Sequence, residues 1–329
     1  MRQIEFANFG APEVLKLVGK PTPAPGPGEI LVGVKAIGVN FADTLMRQNR
    51  YAVTPELPAV PGTEVAGVVE SIGHGVVSPP VGTRVAVPLF ATGAVTGGYS
   101  DYVMVDASLA VPLPDDLSFE AAAALMIQGL TALYLTRQFP PKDKTVLVNA
   151  AAGGVGSLLI QLAKRAGAKA VIAAASTTEK LSLARSLGAD FGIDYSKPSW
   201  GDEVRAASDG SGPDIIFESV GGDATKECLK MLASAGEIVI YGALNIQSFD
   251  LGVPELINLI FKNQSLTGFA LPTLLTPDGL ARGLSELFEL AVKGALKVHI
   301  GPTFSLKDAA KAHQAMEARK TAGKVVMTP

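Results

Sequence analysis

In the first hundred residues the apolar positions fall in short alternating or continuous runs. These are Ile30 to Val39, Val65 to Gly73, Arg84 to Phe90 and Tyr99 to Val105, separated by turn-forming segments such as Pro21 to Glu29. Short runs bounded by Gly and Pro predict an antiparallel β domain. The period changes between Val111 and Arg137, where two prolines precede Ser118 and an alanine-rich stretch follows. Ser118 is positioned as the N-cap of a long helix.

Beyond that helix, β runs and helical periods alternate. Val146 to Val148 leads into the helix of Gly156 to Gly167, Ala170 to Ala175 into Glu179 to Gly188, and Asp214 to Val220 into Ala224 to Ala233. Phe191 to Tyr195, Glu237 to Gly242 and Ser265 to Leu271 read as further strands. Strand–helix alternation predicts an α/β fold with a doubly wound parallel sheet. After Leu271 the pattern predicts a helix over about Pro277 to Lys293, a strand near Lys297 to Ile300, a helix within Ser305 to Arg319 and a terminal Gly323 to Pro329 segment.

The chain has 329 residues, which suggests two domains. Hydrophobic residues at 48% against 18% charged supply ample core and argue against extended disorder. With 28 Lys and Arg against 31 Asp and Glu, the formal net charge is −3, and no long basic run is present, so nucleic acid is not an expected partner. The N-terminal stretch lacks a secretory signal core, and no unbroken apolar run reaches the roughly 20 residues that cross a bilayer. A cytoplasmic protein without a membrane partner is therefore expected. The one cysteine, Cys228, excludes an internal disulfide framework and any multi-cysteine metal cluster.

The strongest local signal is the segment Val146 to Ala168, in which a β run ends in small residues and opens into an amphipathic helix. Ala151, Gly153 and Gly156 occupy the three glycine positions of a G-x-G-x-x-G turn. Such a turn lets a pyrophosphate approach the backbone and offers it the free N–H groups of a helix start. Ala152, Gly153, Gly154, Val155 and Gly156 are therefore candidate cofactor contacts. An NAD site would place an acid at the tip of the second strand, where this chain has Ala174, Ala175 and Ser176. Ser176, Lys180 and Tyr195 instead suit the 2′-phosphate of NADP. Ser176 with Glu179 also forms a capping box, and Lys180 reads equally as a surface lysine. Gly242, Ala243 and Leu244, at the end of a later strand, and Phe269 are expected to border the nicotinamide, at the strand ends where open α/β sheets bind ligands.

Several segments together resemble the zinc-independent quinone oxidoreductase family of the medium-chain dehydrogenase/reductase superfamily. They are Gly38 to Tyr51, Pro61 to Gly73, Gly97 to Val105, Ile127 to Leu135, Asn149 to Gly156 and the closing Ala322 to Val326. The resemblance covers nearly the whole chain. It implies a GroES-like β domain over 1–120 and 268–329, a Rossmann domain over 121–267, NADPH as cofactor and a homodimer. Relatives that use zinc carry a Cys near Phe41 and a His where Thr63 stands, so no metal site is expected. His74, His299 and His313 are too scattered to supply one.

The resemblance implies a metal-free transfer of electrons or hydride from NADPH to a small quinone or an α,β-unsaturated carbonyl. It points to Asn40, Asp43 and Tyr51 at the reacting end, to Asn40 and Thr131 as cofactor contacts, and to Lys324 near the cofactor phosphates. Each has a second reading: Tyr51 as a packed loop anchor, Asn40 as a turn residue, Asp43 as a helix cap and Lys324 as a surface lysine. Phe41, Leu45, Met126 and Phe269 form an expected apolar wall of the substrate pocket. The family's second tyrosine is replaced by Leu45, and its usual glycine by Asn49. Two alternatives stand beside this reading. One is a 2-enoyl-thioester reductase using Arg47, Arg50 and Arg137; the other is an NADPH-binding structural or RNA-associated protein.

Overall fold

The computed structural model describes residues 1–92, 97–242, 244, 248 and 250–329. The chain divides into two compact units, Met1–Leu130 with Leu275–Pro329, and Thr131–Leu274. These divisions fall later than the sequence boundaries at 120 and 267.

The first unit is built on a seven-stranded sheet. Across it run Ile300–Ser305, Lys324–Thr328, Glu29–Val39, Val65–Ile72, Arg84–Val87 and Val111–Pro112, with Tyr102–Asp106 also paired to Glu29–Val39. All pairs are antiparallel except Ile300–Ser305 with Lys324–Thr328, which is parallel. The predicted strand near Lys297 therefore begins later, at Ile300. The terminal segment inserts beside Glu29–Val39, pairing Val325 with Val39 and Met327 with Ile37. The C-terminal segment thus completes a sheet whose other strands come mostly from the first 112 residues. A separate hairpin-like pair, Arg2–Glu5 with Lys16–Gly19, was not expected from the sequence.

The long strand Glu29–Val39 is buried along almost its whole length, with Ile30, Val32, Ile37 and Val39 fully enclosed. Burying each such side chain contributes about 1.5–3 kcal/mol. The helix Ala309–Glu317 covers the same core with Ala309 and Ala312. Gly62 has φ +100°, and a Cβ there would stand 2.4 Å from the Tyr99 ring. Glycine at this position therefore lets Tyr99 enter the core with no exposed surface.

The second unit carries six parallel strands. In order they are Phe191–Asp194, Ala170–Ala175, Thr145–Val148, Ile215–Glu218, Glu237–Ile240 and Ser265–Gly268. In chain order this is 3-2-1-4-5-6, the doubly wound arrangement of a Rossmann domain. Central strands such as Thr145–Val148 and Ile215–Glu218 are buried at every position, as a parallel sheet covered on both faces requires.

The alanine-rich helix starts as the sequence predicts, with the Ser118 hydroxyl accepting the Ala121 N–H at 3.1 Å. It is not uniform: Phe119–Ala124 is α-helical, Leu125–Gly129 is a π-type turn, and Leu130–Gln138 resumes the α-helix. The stretch Phe119–Gln138 is long and apolar enough to cross a membrane by composition, but 67% of its most apolar window is buried inside the protein.

Candidate active site

The phosphate-binding turn follows directly from the sheet. After Thr145–Val148, the Ala151 N–H donates to Ala174 O at 3.0 Å, tying the turn to the neighbouring strand. Ala150 adopts φ +48°, and its carbonyl accepts the Gly153 N–H at 2.8 Å. Gly153 then caps the helix Gly154–Arg165. At Gly156 a Cβ would lie 2.6 Å from Ala150 O and 2.8 Å from Ala151 Cα, so any side chain would push the helix off the turn. Gly153, Gly154 and Val155 keep part of their surface open at the helix start, while Ala152 is buried beneath them. This backbone cradle fits a dinucleotide pyrophosphate.

The second strand, Ala170–Ala175, ends at Ser176, and Tyr195 follows the adjacent strand Phe191–Asp194. The Tyr195 N–H donates to Ala175 O at 3.2 Å, so Ser176 and Tyr195 meet at one sheet edge. Tyr195 is held edge-on against Trp200. The helix cap expected at Ser176 is instead Thr177, whose hydroxyl accepts the Lys180 N–H at 3.3 Å. Helix Thr178–Ser186 begins one residue later than the capping-box reading implied, so Ser176 sits on the strand side of the cap and Lys180 in the first turn.

On the other side of the sheet, Gly242 stands two residues beyond Glu237–Ile240. A Cβ on Gly242 would lie 2.8 Å from Ser219 Cβ. The Leu244 N–H donates to Ser219 O at 3.3 Å and the Phe269 N–H to Ile240 O at 2.8 Å. Ala243 lies outside the described residues. Thr131 is buried in the first turn of Leu130–Gln138.

In the first unit, Asn40 ends the strand Glu29–Val39 and precedes the helix Phe41–Arg47. Asp43 reaches back from the third helical position to accept the Asn40 N–H at 2.8 Å, which bears out its reading as a cap. The Asn40 amide is engaged at both ends. Its oxygen accepts from Lys324 Nζ at 2.8 Å, and its nitrogen donates to Glu64 Oε1 at 2.7 Å. Lys324 also pairs with Glu64, and both are fully buried. Lys324 is therefore an internal ion-pair partner, and as placed its ammonium is not presented to cofactor phosphates or to solvent. The Glu64 carboxylate completes its set by accepting the Ile127 N–H at 2.7 Å.

A second buried cluster surrounds Asp43. The Tyr99 hydroxyl donates to Asp43 Oδ2 at 3.2 Å and lies 3.0 Å from His313 Nε2. Burial pushes the Asp43 carboxyl up to about 7, against the opposing influence of the Asn40 N–H and the Lys324 charge. Burial, with the Arg47 charge, pushes His313 down to about 3, so its ring is neutral. Arg47 is wholly enclosed, donating to Gly10 O at 2.6 Å and pairing with Glu317, which removes it from any phosphate-binding groove. Glu64, Tyr99 and His313 were not singled out from the sequence as site residues. The one signal was an acid, Glu64, placed immediately before the apolar run Val65–Val69.

Of the residues implied at the reacting end, Tyr51 is the one that faces outward, with 43% of its surface exposed. Partial burial and the nearby Asp43 raise its phenol above the usual value, so it is a neutral donor throughout the physiological range. Of the apolar wall, Leu45 is buried and Met126 has no exposed surface. Phe41 and Phe269 are half-buried. Among the described residues, no group of three or more His, Cys, Asp or Glu side chains could hold a metal ion.

Over residues 26–115 the chain matches the family described as alcohol dehydrogenase GroES-like domain, and over residues 154–288 the one described as zinc-binding dehydrogenase. A quinone oxidoreductase of Pseudomonas aeruginosa is 37% identical over 332 residues, covering 100% of this chain and 99% of that protein. A 2-haloacrylate reductase of a Burkholderia species is 34% identical, covering 93% of this chain and 92% of that protein. The crystal structure of Escherichia coli quinone oxidoreductase complexed with NADPH matches with a TM-score of 0.90 at 35% identity, covering 100% of both chains. The GroES-like unit and the Rossmann unit with its phosphate turn define an NADPH-dependent oxidoreductase of the medium-chain dehydrogenase/reductase superfamily. Within that superfamily, the chain belongs to the quinone oxidoreductase family.

Asp43 provides a direct test of the buried cluster. Its folded-state pKa of about 7 lies above the ordinary 3.8, so the folded protein holds this proton more firmly than the unfolded chain does. The resulting stability is fully present below the unfolded value and is lost as the pH rises through about 7. Asp43→Asn keeps an acceptor for the Asn40 N–H and the Tyr99 O–H but does not ionise. Its urea midpoint relative to the natural protein should therefore rise between about pH 4 and pH 8. Parallel midpoint curves for the two proteins would show that Asp43 carries no raised pKa.

Proposed function

We propose that the protein reduces a small quinone or an α,β-unsaturated carbonyl with NADPH. When bound, NADPH supplies the hydride equivalent. The Gly153–Gly156 turn would hold the cofactor pyrophosphate, Ser176, Lys180 and Tyr195 its 2′-phosphate, and Gly242, Ala243, Leu244 and Phe269 its nicotinamide. Thr131 is assigned to the ribose side. Tyr51 donates its hydroxyl hydrogen to the acceptor oxygen and delivers the proton that balances the added hydride. A quinone becomes a hydroquinone in this way; an enone that takes hydride at its β-carbon and the proton at its oxygen becomes an enol, which tautomerises through water to the saturated carbonyl, and water then returns the proton to the exposed phenol. Phe41 and Phe269 supply apolar contacts.

The observation that carries this reading is the contrast at the reacting end: Asn40 and Asp43 are buried and engaged, whereas the Tyr51 phenol is open and neutral. Asn40 and Asp43 accordingly act by holding the segment that leads to Tyr51. The thioester alternative loses Arg47 to its internal pair with Glu317, while Arg137 lies over the Tyr134 ring.

NADPH oxidation followed at 340 nm should show turnover with 1,4-benzoquinone, 9,10-phenanthrenequinone or an alkyl vinyl ketone. Tyr51→Phe should lower kcat by about a hundredfold or more while leaving NADPH binding intact. Turnover confined to crotonyl-CoA would move the function to thioester reduction, and an unchanged Tyr51→Phe would remove the phenol from the chemistry.

Lys180→Ala should weaken NADPH binding by about tenfold, the size of one charge-assisted contact, and leave NADH binding unchanged. Equal losses for the two cofactors, measured by fluorescence titration, would overturn the 2′-phosphate assignment.

We also propose that the protein works as a homodimer joined through the second unit. Helix Val253–Phe261 exposes Val253, Leu256, Ile257, Ile260 and Phe261, and Phe261 alone is 81% exposed. The next strand, Ser265–Gly268, is paired on one side only among the described residues. An exposed apolar helix face and an outermost strand are both stabilised by a second copy related by a two-fold axis. Sedimentation should give twice the chain mass, and Ile260→Asp should give monomer; a monomeric natural protein would exclude this assembly.

A further inference from the structure

The Leu125–Gly129 π-type turn has an identifiable cause. Within an α-helix the Ile127 N–H would donate to the carbonyl four residues earlier, Ala123 O. Here it donates to Glu64 Oε2 at 2.7 Å. A side chain that takes a donor out of the i to i−4 ladder lets the helix register slip, which is how such turns arise. The carboxylate that does this is itself immobilised, because its other oxygen accepts from Lys324 Nζ and from Asn40 Nδ2. The two oxygens of Glu64 therefore hold two segments at once. One is Asn40, which opens the helix carrying Asp43 and leads on to Tyr51. The other is the turn that exposes part of Ile127 and Gln128.

We propose that Glu64 is a positioning residue for the reduction, fixing the start of the Tyr51-bearing segment and the Leu125–Gly129 turn through one buried carboxylate. The proposal rests on the reading of Tyr51 as the proton donor. Every described contact to Glu64 comes from a donor: an ammonium, an amide N–H and a backbone N–H. A carboxylate satisfies all three, whereas an amide of the same shape cannot. In Glu64→Gln the new carbonyl oxygen turns to the Lys324 charge, and the new NH2 group meets the Ile127 N–H donor to donor. The substitution thus releases the turn while conserving volume.

Amide hydrogen exchange on the natural protein should show Ile127 strongly protected. In Glu64→Gln, exchange at residues 127–130 should rise by about tenfold or more, the magnitude of one hydrogen bond to a charged group. With the same acceptor, kcat should fall by about tenfold or more, while the NADPH dissociation constant stays within about twofold. Fast exchange of Ile127 in the natural protein overturns the proposal without any variant having to fold. Unchanged exchange in Glu64→Gln overturns it, as does a released turn with unchanged kcat. Failure of the natural protein to reduce any acceptor would count against the proposed reaction instead, because the exchange measurement does not depend on turnover.

Discussion

A lysine near the end of the chain lies buried beside a glutamate and an asparagine from its beginning, and the first unit is organised around that contact. Lys324, Glu64 and Asn40 come from three strands or strand ends. Placing an ammonium and a carboxylate out of water costs several kcal/mol for each ion, so they must be paired and further hydrogen-bonded. That demand fixes the register of the terminal strand against Glu29–Val39 more sharply than apolar packing could. A slip of one residue would turn Lys324 to the opposite face and leave Glu64 uncompensated. The pair therefore acts as a lock between the two ends of the chain.

The two units were legible in the sequence to different degrees. In the Rossmann unit each strand is a local apolar run, and the glycines of the turn sit where the backbone demands them, so Ala170–Ala175 was read to the residue. One misreading there, Ser176 for Thr177 as the helix cap, arose because adjacent hydroxyl residues offer the same signal and only backbone geometry separates them. In the first unit most strands of the large sheet were visible but their partners were not, and the pair Arg2–Glu5 with Lys16–Gly19 was not visible at all. Pairing between Lys324–Thr328 and Glu29–Val39 spans nearly the whole chain, and no local pattern encodes it. The π-type turn was hidden for the same reason, since its cause is a carboxylate more than sixty positions away.

The candidate chemistry shows the same division. Tyr51 and the phosphate turn stand out in the sequence because they lie within continuous motifs. Tyr99 and His313 could not, because each is a polar residue within an apolar pattern and only the fold brings them together at 3.0 Å. Lys324 was visible as a residue but misplaced in role, because a lysine is ordinarily exposed and here is enclosed. Asn49 shows a departure that the fold accommodates. It adopts φ +54°, a conformation natural for glycine that asparagine tolerates, and its side-chain oxygen accepts the Thr54 hydroxyl at 2.7 Å.

The single cysteine has a consequence for durability. Cys228 is buried against Asn149 and Glu218, and burial beside that carboxylate keeps its thiol protonated well above the ordinary range. Quinones and enones are soft electrophiles that arylate or alkylate exposed thiolates, since the thiolate is the reactive form. A catalyst that turned over such acceptors with an open, ionised cysteine would accumulate covalent damage in proportion to its own work. This chain carries its single sulfhydryl buried and protonated, the form least open to such attack.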